Sequence, residues 1–551
     1  MKKIKGLFVL SAAALLLAGC GGGSGGENGA KGSGAKESGA SGQYTIGGTL
    51  SGLVEGARVV LKNGSETLTL TQNGAFTFTQ SATDYNVTLQ SVSNEPNQGK
   101  PLLPECALKN GSGTAMGDVS DIFVDCKTVY FFYADDGGAA GRELYKTDGT
   151  EAGTVMVKDI NPMGDSFPYD MAAMGNTIFF TANDGVHGGE LWKTDGTEAG
   201  TVMVKDIRPG DGYSAGRYLT VAGNTLYFVA SDGENLLELW KTDGTEAGTV
   251  MVKDINPFTG ASPQYLTPVG EMLYFVANNG LDGIELYKTD GTEAGTVMIK
   301  DIAEGPASAM PSSLTALGDT LYFAATDGVS GVELYKTDGT AEGTVMVKDI
   351  NPAGSSDPVR FAALNETLYF VAGDGTHGIE LYKTDGTSEG TVMVKDVAEG
   401  SANFTPYYPT VLGNALYFNA YTDANGSELY KSDGTEAGTM MVKDIAEGIG
   451  SASPSSLTAL GDTLYFLADD GVNGTELYKT DGTAAGTVMV KDIREGGSSG
   501  PGYLIAVGGM LFFHADDGIH GDELWKSDGT EAGTVMIKDL SPGSTSGFGP
   551  S

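Results

Sequence analysis

From Val129 onward one phrase, ELYKTDGTEAGTVMVKDI or a close variant, occurs nine times. Its aspartate before Gly-Thr falls at Asp148, Asp195, Asp243, Asp290, Asp338, Asp385, Asp433, Asp481 and Asp528, at spacings of 47 or 48 residues. A period this regular is one supersecondary unit copied in tandem. The copy around Asp338 reads as four strands, Ser313–Leu317, Thr320–Thr326, Val332–Thr337 and Thr344–Ile350. A Gly-Asp pair links the first two, and Asp327-Gly328 and Asp338-Gly339 open the next two turns. Asp-Gly is a hairpin signal because such turns need positive φ at a central residue. Four antiparallel strands in about 47 residues is the measure of a β-propeller blade. No helical periodicity competes, and a parallel β-helix with its shorter coil is the second choice. Each unit exposes two sheet faces that need neighbours, and neither end carries a capping sequence, so the array closes on itself as a disc.

The blade count follows from the strands. The second to fourth strands occur nine times, but the first strand occurs eight times and is absent before the first copy. We read nine blades, with eight plus an irregular copy as the alternative. The first blade has either three strands or a fourth supplied by Asp121–Cys126.

Charge narrows the partners. With 71 acidic and 33 basic residues the formal net charge is −38. Nucleic acid binding depends on Lys and Arg neutralising phosphates, so it is excluded as a role. A basic membrane-binding face is excluded on the same count. No stretch after the first twenty residues approaches the roughly 20 apolar residues a spanning helix needs.

The amino terminus reads MKKIK, then an apolar run Leu7–Leu17, then LAGC ending at Cys20. Basic, short apolar and small-residue segments in that order make a secretory signal. The tetrapeptide resembles the lipobox of bacterial lipoproteins. The resemblance implies cleavage after residue 19, diacylation of the Cys20 thiol and acylation of the new amino group, so that the membrane is a partner through this anchor. Gly21, rather than Asp, follows the cysteine, which by the family rule implies the outer membrane. Residues 20–43 are a Gly/Ser-rich tether that behaves as a flexible coil.

Residues 44–127 read as a small β domain, with strands Tyr44–Leu50, Ala57–Lys62, Glu66–Thr71, Ala75–Thr79, Tyr85–Val92 and Asp121–Cys126. Cys106 and Cys126 form a disulfide by default in an exported protein. Two free thiols or a metal site are the alternatives, though without neighbouring histidines they make a poor zinc site. The pattern GGTLSGL…ARVVLKNG…ETLTLTQNGAFTF resembles the small Ig-like or transthyretin-like modules that follow the anchor in bacterial lipoproteins. In those, the cysteine pair staples a late loop to the last strand.

Residues 128–540 resemble the family named for its ELWxxDGT motif, with 541–551 as a tail. Trp stands in the motif at Trp192, Trp240 and Trp525, and Tyr in the other six copies. The resemblance implies an extracytoplasmic, usually surface-associated protein, and supplies no active site.

Repetition also separates scaffold from site. The glutamates that open each ELY strand, Glu143, Glu190, Glu238, Glu285, Glu333, Glu380, Glu428, Glu476 and Glu523, are expected to pair with Lys or with turn amides. The Asp-Gly-Thr aspartates are expected to accept from nearby backbone amides. Calcium in the acidic turns, for example at Asp327 and Asp338, is the functional alternative, because a hard cation takes oxygen ligands. No other cofactor is expected. His187, His377 and His520 share one turn, DGxHG, on separate copies, and His514 lies on a strand. The connections after KDI diverge between copies and carry Tyr169, Tyr213, Arg217, Tyr218, Tyr265, Arg360, Phe361, Tyr407, Tyr408 and Tyr503. Aromatic residues with an occasional Arg on loops form a recognition surface; the alternative is that the rings pack between blades. The expected role is binding or scaffolding of a glycan, polymer or envelope protein by a monomer, with an extracytoplasmic hydrolase or lyase as the competing class.

Replacing Cys20 by Ser is expected to abolish lipidation. Metabolic labelling with a fatty-acid analogue checks this, with wild type labelled and the variant blank.

Overall fold

The computed structural model describes residues 44–53, 57–82, 84–93, 101–138, 140–214, 216–398, 400, 403–543 and 547. The expected leader, the anchor at Cys20, the tether and most of the tail beyond 543 lie outside the described residues. Every regular element among the described residues is a strand.

Each of units two to nine forms one four-stranded antiparallel sheet with its strands in chain order. In the unit around Asp338 these are Ser312–Leu317, Thr320–Thr326, Val332–Thr337 and Val345–Lys348. The expected fourth strand ran on to Ile350, but the chain leaves the sheet after Lys348. The second strand is buried on both faces, as in Leu321–Ala325. Its phenylalanine stacks on the motif tyrosine of the third strand, Phe323 on Tyr335 at 5.8 Å and Phe370 on Tyr382 at 5.8 Å. Sheets with two apolar faces must be flanked on both sides, and the inner strands contact one another from unit to unit around the molecule.

Two lysines in each of units two to nine tie the sheet to the next, and in unit one the fourth-strand lysine does so while Lys146 turns to Glu105. The third-strand lysine donates to the glycine carbonyl of the next Asp-Gly-Thr turn, as Lys193 Nζ to Gly244 O at 2.7 Å. The fourth-strand lysine donates to a threonine carbonyl of the next unit, as Lys158 Nζ to Thr201 O at 2.8 Å. On its way it passes over the next motif tryptophan, 5.9 Å from the Trp192 ring centroid. The same two bonds join the last unit to the first, Lys526 to Gly149 at 2.7 Å and Lys538 to Thr154 at 2.9 Å. Phe132, Ala134 and Tyr145 of unit one share a core with Phe512, Leu524 and Ile537 of unit nine. The ring is closed, and the fold is a β-propeller.

The first unit is built differently. Strand Val119–Asp135 runs through the 127/128 boundary and belongs to both bodies. Its end, Tyr130–Asp135, pairs with Arg142–Thr147 as a second strand does elsewhere. The inner-strand place beside it is held by Leu102 and Leu103, opposite Tyr130 and Val129. Asp121–Cys126, offered as the alternative to a three-stranded first blade, lies in the small domain, in the first half of the strand that continues as this blade's second. The completing residues open strand Leu102–Lys109, which the sequence pattern does not announce. Its turn signals are interrupted by Pro101, Pro104 and Cys106 rather than by alternating side chains.

The small domain packs two sheets around Ile46, Leu50, Val59, Leu61, Phe76, Val87, Ile122 and Val124. Its first strand, Ile46–Ser51, runs parallel to Val119–Asp135. Cys106 and Cys126 are disulfide-bonded and stand directly opposite each other on neighbouring strands, not between a loop and a strand.

The motif glutamates are fully buried, and their partners are amides rather than lysines. Glu285 accepts from Ile302 N at 3.1 Å and Ala309 N at 2.9 Å; Glu333 accepts from Ile350 N, Ser356 N and Ser356 Oγ. Burial pushes Glu143, Glu190, Glu238, Glu285 and Glu523 up to about 7. An unfolded Glu titrates near 4.3. A raised folded value means that the stabilisation is complete below about pH 4.3 and is lost as pH rises through about 7. The melting temperature is therefore expected to be lower at pH 8 than at pH 5.5 by several degrees, on the order of 5 °C, as checked by calorimetry at matched ionic strength.

Candidate functional site

Antiparallel order sorts the loops onto two faces. The start of each inner strand, the turn between second and third strands, and the connection after KDI share one face; the Asp-Gly-Thr hairpins lie on the other. Strand Val119–Asp135 enters unit one from the hairpin face, and Lys127 Nζ meets Asp148 Oδ2 there at 2.7 Å. Lys146 meets Glu105 at 2.8 Å on the same side. The small domain thus sits on the hairpin face, and the connections face away from it.

Each inner strand begins with a bulge. In unit two the register steps from Tyr169–Thr181 to Ala172–Phe179, so three residues advance against two. The second residue of the strand takes positive φ in every one of units two to nine. These residues are Asp170 (54°), Tyr218 (60°), Tyr265 (54°), Ser313 (56°), Arg360 (56°), Tyr408 (54°), Ser456 (52°) and Tyr503 (51°). Left-handed geometry costs a non-glycine residue about 1 kcal/mol or more. The backbone keeps it whether the side chain is Asp, Tyr, Ser or Arg, so the repeat imposes it. The bulge re-aims this one side chain per blade.

The sequence-predicted residues divide accordingly. Tyr218, Tyr265, Tyr408 and Tyr503 occupy bulge positions and are about half exposed, at 49%, 48%, 58% and 46%. Arg360 is at the equivalent position in unit six, its guanidinium carbon 3.8 Å above the Tyr407 ring centroid. Tyr407 opens the next inner strand, with its ring 6.3 Å from that of Tyr408. Tyr169 and Arg217 hold the same opening position in units two and three. Tyr213 lies outboard, where its hydroxyl accepts from Asn183 Nδ2 at 3.0 Å and its ring covers Gly189. Phe361 packs edge-on against Phe370 at 5.8 Å and belongs to the wall between blades.

A cavity of about 250 Å³ opens on this face where units nine, one and two meet, lined by Tyr130, Tyr133, Pro168, Tyr169, Asp170 and Tyr503 among others. Burial pushes the Tyr133 hydroxyl up to about 12. Asp170 is also raised by burial, although it accepts from the Tyr218 and Leu219 amides. His514 Nδ1 lies 2.7 Å from Asp522 Oδ1, and the His514 ring lies 5.3 Å from Tyr503. Sequence reading missed Tyr130, Tyr133 and Asp170. The signal was present: Tyr133 and His514 stand where other units carry residues such as Val229, Val276 and Val371. A second cavity, about 570 Å³, lies between units four and five beside Gln264, Tyr265, Asn278 and Ser312.

The acidic turns are engaged by the backbone. Asp338 Oδ1 accepts from the amide and hydroxyl of Thr340, which hold it below the usual carboxylate range. Asp327 accepts from Val329 N and Ser330 N on the opposite face. No group of three His, Cys, Asp or Glu suited to a metal occurs among the described residues. His187, His377 and His520 each bond the aspartate three residues before, at 2.7 Å, on separate blades.

No family model and no curated protein matches the chain. Among solved structures it is similar to the computationally designed Ika8 protein, at 14% identity, over 63% of this chain and 93% of that one, with a TM-score of 0.37. A prolyl endopeptidase is similar at 15% identity, over 64% of this chain and 54% of its own length, with a TM-score of 0.37. The β-propeller domain of the Trilobed protease from Pyrococcus furiosus is similar at 13% identity, over 57% and 94%, with a TM-score of 0.31.

Replacing Tyr265 by Val is expected to destabilise more than replacing it by Gly, by about 1–2 kcal/mol, because a β-branched side chain tolerates positive φ worst. Urea titration of the two variants measures the difference.

Proposed function

We propose that the chain is an outer-membrane lipoprotein, anchored through Cys20, that displays a nine-bladed propeller to capture a glycan, polymer or envelope protein. On this reading the count of nine holds because the first blade is completed by Leu102 and Leu103 standing in for its missing first strand. The small domain is an Ig-like or transthyretin-like spacer, and the repeats are of the ELWxxDGT kind. The protein acts as a monomer.

One observation carries the binding role. A recurring backbone device re-aims one side chain in each of units two to nine on the connection face, and that side chain is one the copies vary. The small domain, from which the tether leads to the anchor, occupies the opposite face, which supports a connection face turned away from the lipid. The competing hydrolase or lyase draws on the His514–Asp522 pair beside Tyr503, present in unit nine alone. Replacing His514 by Gln separates the two: capture that survives while turnover disappears favours the enzyme.

Changing Tyr218, Tyr265 and Tyr408 together to Ala is expected to abolish ligand capture, at about 2 kcal/mol or more per anchor, with the melting temperature kept. A pull-down from envelope extracts, paired with a thermal scan, is the measurement. Unchanged capture at unchanged stability would place the site elsewhere.

A further inference from the structure

Two arginines, Arg217 and Arg360, lie at the openings of inner strands on the connection face. Among the described residues, the Lys and Arg ion pairs are Lys127 with Glu105 and Asp148, Lys146 with Glu105, and Arg494 with Asp516. Arg217 and Arg360 make none, and neither do Arg142, which lies over the Phe167 ring, and Arg208, which donates to the Tyr213 carbonyl, in a chain with 71 acidic residues against 33 basic. A guanidinium surrounded by so many carboxylates and paired with none of them leaves its donors open to a ligand.

Arg360 is also preorganised. It leaves a strained bulge, and its guanidinium carbon lies over the Tyr407 ring. Stacking occupies the guanidinium face and leaves the N–H edges in plane, the geometry that matches a carboxylate bidentately. Tyr408, 58% exposed and also on a bulge, stands beside it. One face of a pyranose carries C–H groups that pack on such a ring, while its hydroxyls stay in water. Arg217 and Tyr218 follow one another in unit three, and the Arg217 charge acts on the Tyr169 hydroxyl of unit two. The two clusters lie four units apart around the ring.

We infer that Arg360, Tyr407 and Tyr408 form a subsite for a carboxylate-bearing sugar within an otherwise neutral glycan, with Arg217, Tyr169 and Tyr218 as its counterpart across the mouth. This rests on the connection face being the recognition surface. The chain's net charge of −38 argues for isolated carboxylates. A dense polyanion would be repelled on approach, whereas a single carboxylate is attracted at contact and the rest of the field is screened beyond about 8 Å at physiological salt.

The test uses the full-length protein in detergent and three probes: a xylo-oligosaccharide bearing one glucuronate, its methyl ester, and the unsubstituted oligosaccharide. The acid is expected to bind at least about tenfold more tightly than the ester, a difference of about 1.4 kcal/mol. Arg360→Gln is expected to erase that difference while leaving the melting temperature unchanged. Arg360→Lys restores it only in part, since an ammonium lacks the fork. Arg217→Gln gives a smaller loss of the same sign and guards against a folding defect in the first variant. Equal binding of acid and ester, an Arg360→Gln loss shared equally by both, or no binding to any probe overturns the inference. If acid and ester bind alike and the triple tyrosine change abolishes both, the recognition face stands and the carboxylate preference falls. If the triple change leaves envelope capture intact, it is the face itself that is wrong.

Discussion

The position of every blade depends on a buried carboxylate that ties the chain leaving one sheet to that sheet's own third strand. The motif glutamate receives the amide of the residue that ends KDI, such as Ile302 or Ile350, and, in most units, a second amide or hydroxyl further along the connection, such as Ala309, Ser356 or Ala452. Both ends of the connection are thereby fixed before the next inner strand begins. Burying a carboxylate without a cation is costly, and converging N–H dipoles offset that cost only while each keeps its aim. The small residue at the far donor position matters for this reason. In unit six Phe404 stands there, Glu380 Oε1 has no partner, and burial pushes that carboxyl to about 8.

Between units the lysines take over. Their carbonyl acceptors sit on the turns, so each bond measures the distance from one sheet to the next and passes it on unchanged. Gly339 shows how tight the fit is: its φ is +87°, and a Cβ there would collide with the Tyr274 hydroxyl of the preceding unit. Repeating one spacing from unit to unit closes the ring, because the last pair of lysines finds Gly149 and Thr154 where those of the preceding units find their neighbours. At the seam, one strand serves two bodies and a disulfide ties it to the strand that fills the first blade. The module and the disc are therefore joined by continuous β structure rather than by a linker.

Function on such a scaffold resides in whatever the repeat leaves free. The bulge provides a fixed frame with a variable side chain, and the seam provides a place where the frame itself changes. Tyr133 and His514, which flank the seam, differ from their equivalents in the other units for that reason. Half of the bulge side chains in units two to nine are tyrosines that remain about half exposed, Tyr218, Tyr265, Tyr408 and Tyr503.

In units two to nine the sequence by itself determined the strands, their order and their number, because a two-residue side-chain period and Asp-Gly turns are local properties. It also located the paired cysteines and most of the residues at the mouth, since copies of one unit reveal their own variation. Tertiary structure decided which of those residues meet. Phe361 and Tyr408 read alike in the chain, yet the ring places one in a wall and the other on the mouth. Pairing Leu102 with Tyr130, stacking Arg360 on Tyr407 and closing unit nine on unit one all join segments that no local period relates. Those contacts exist only because the sheets twist around a common axis and bring distant residues to the same radius.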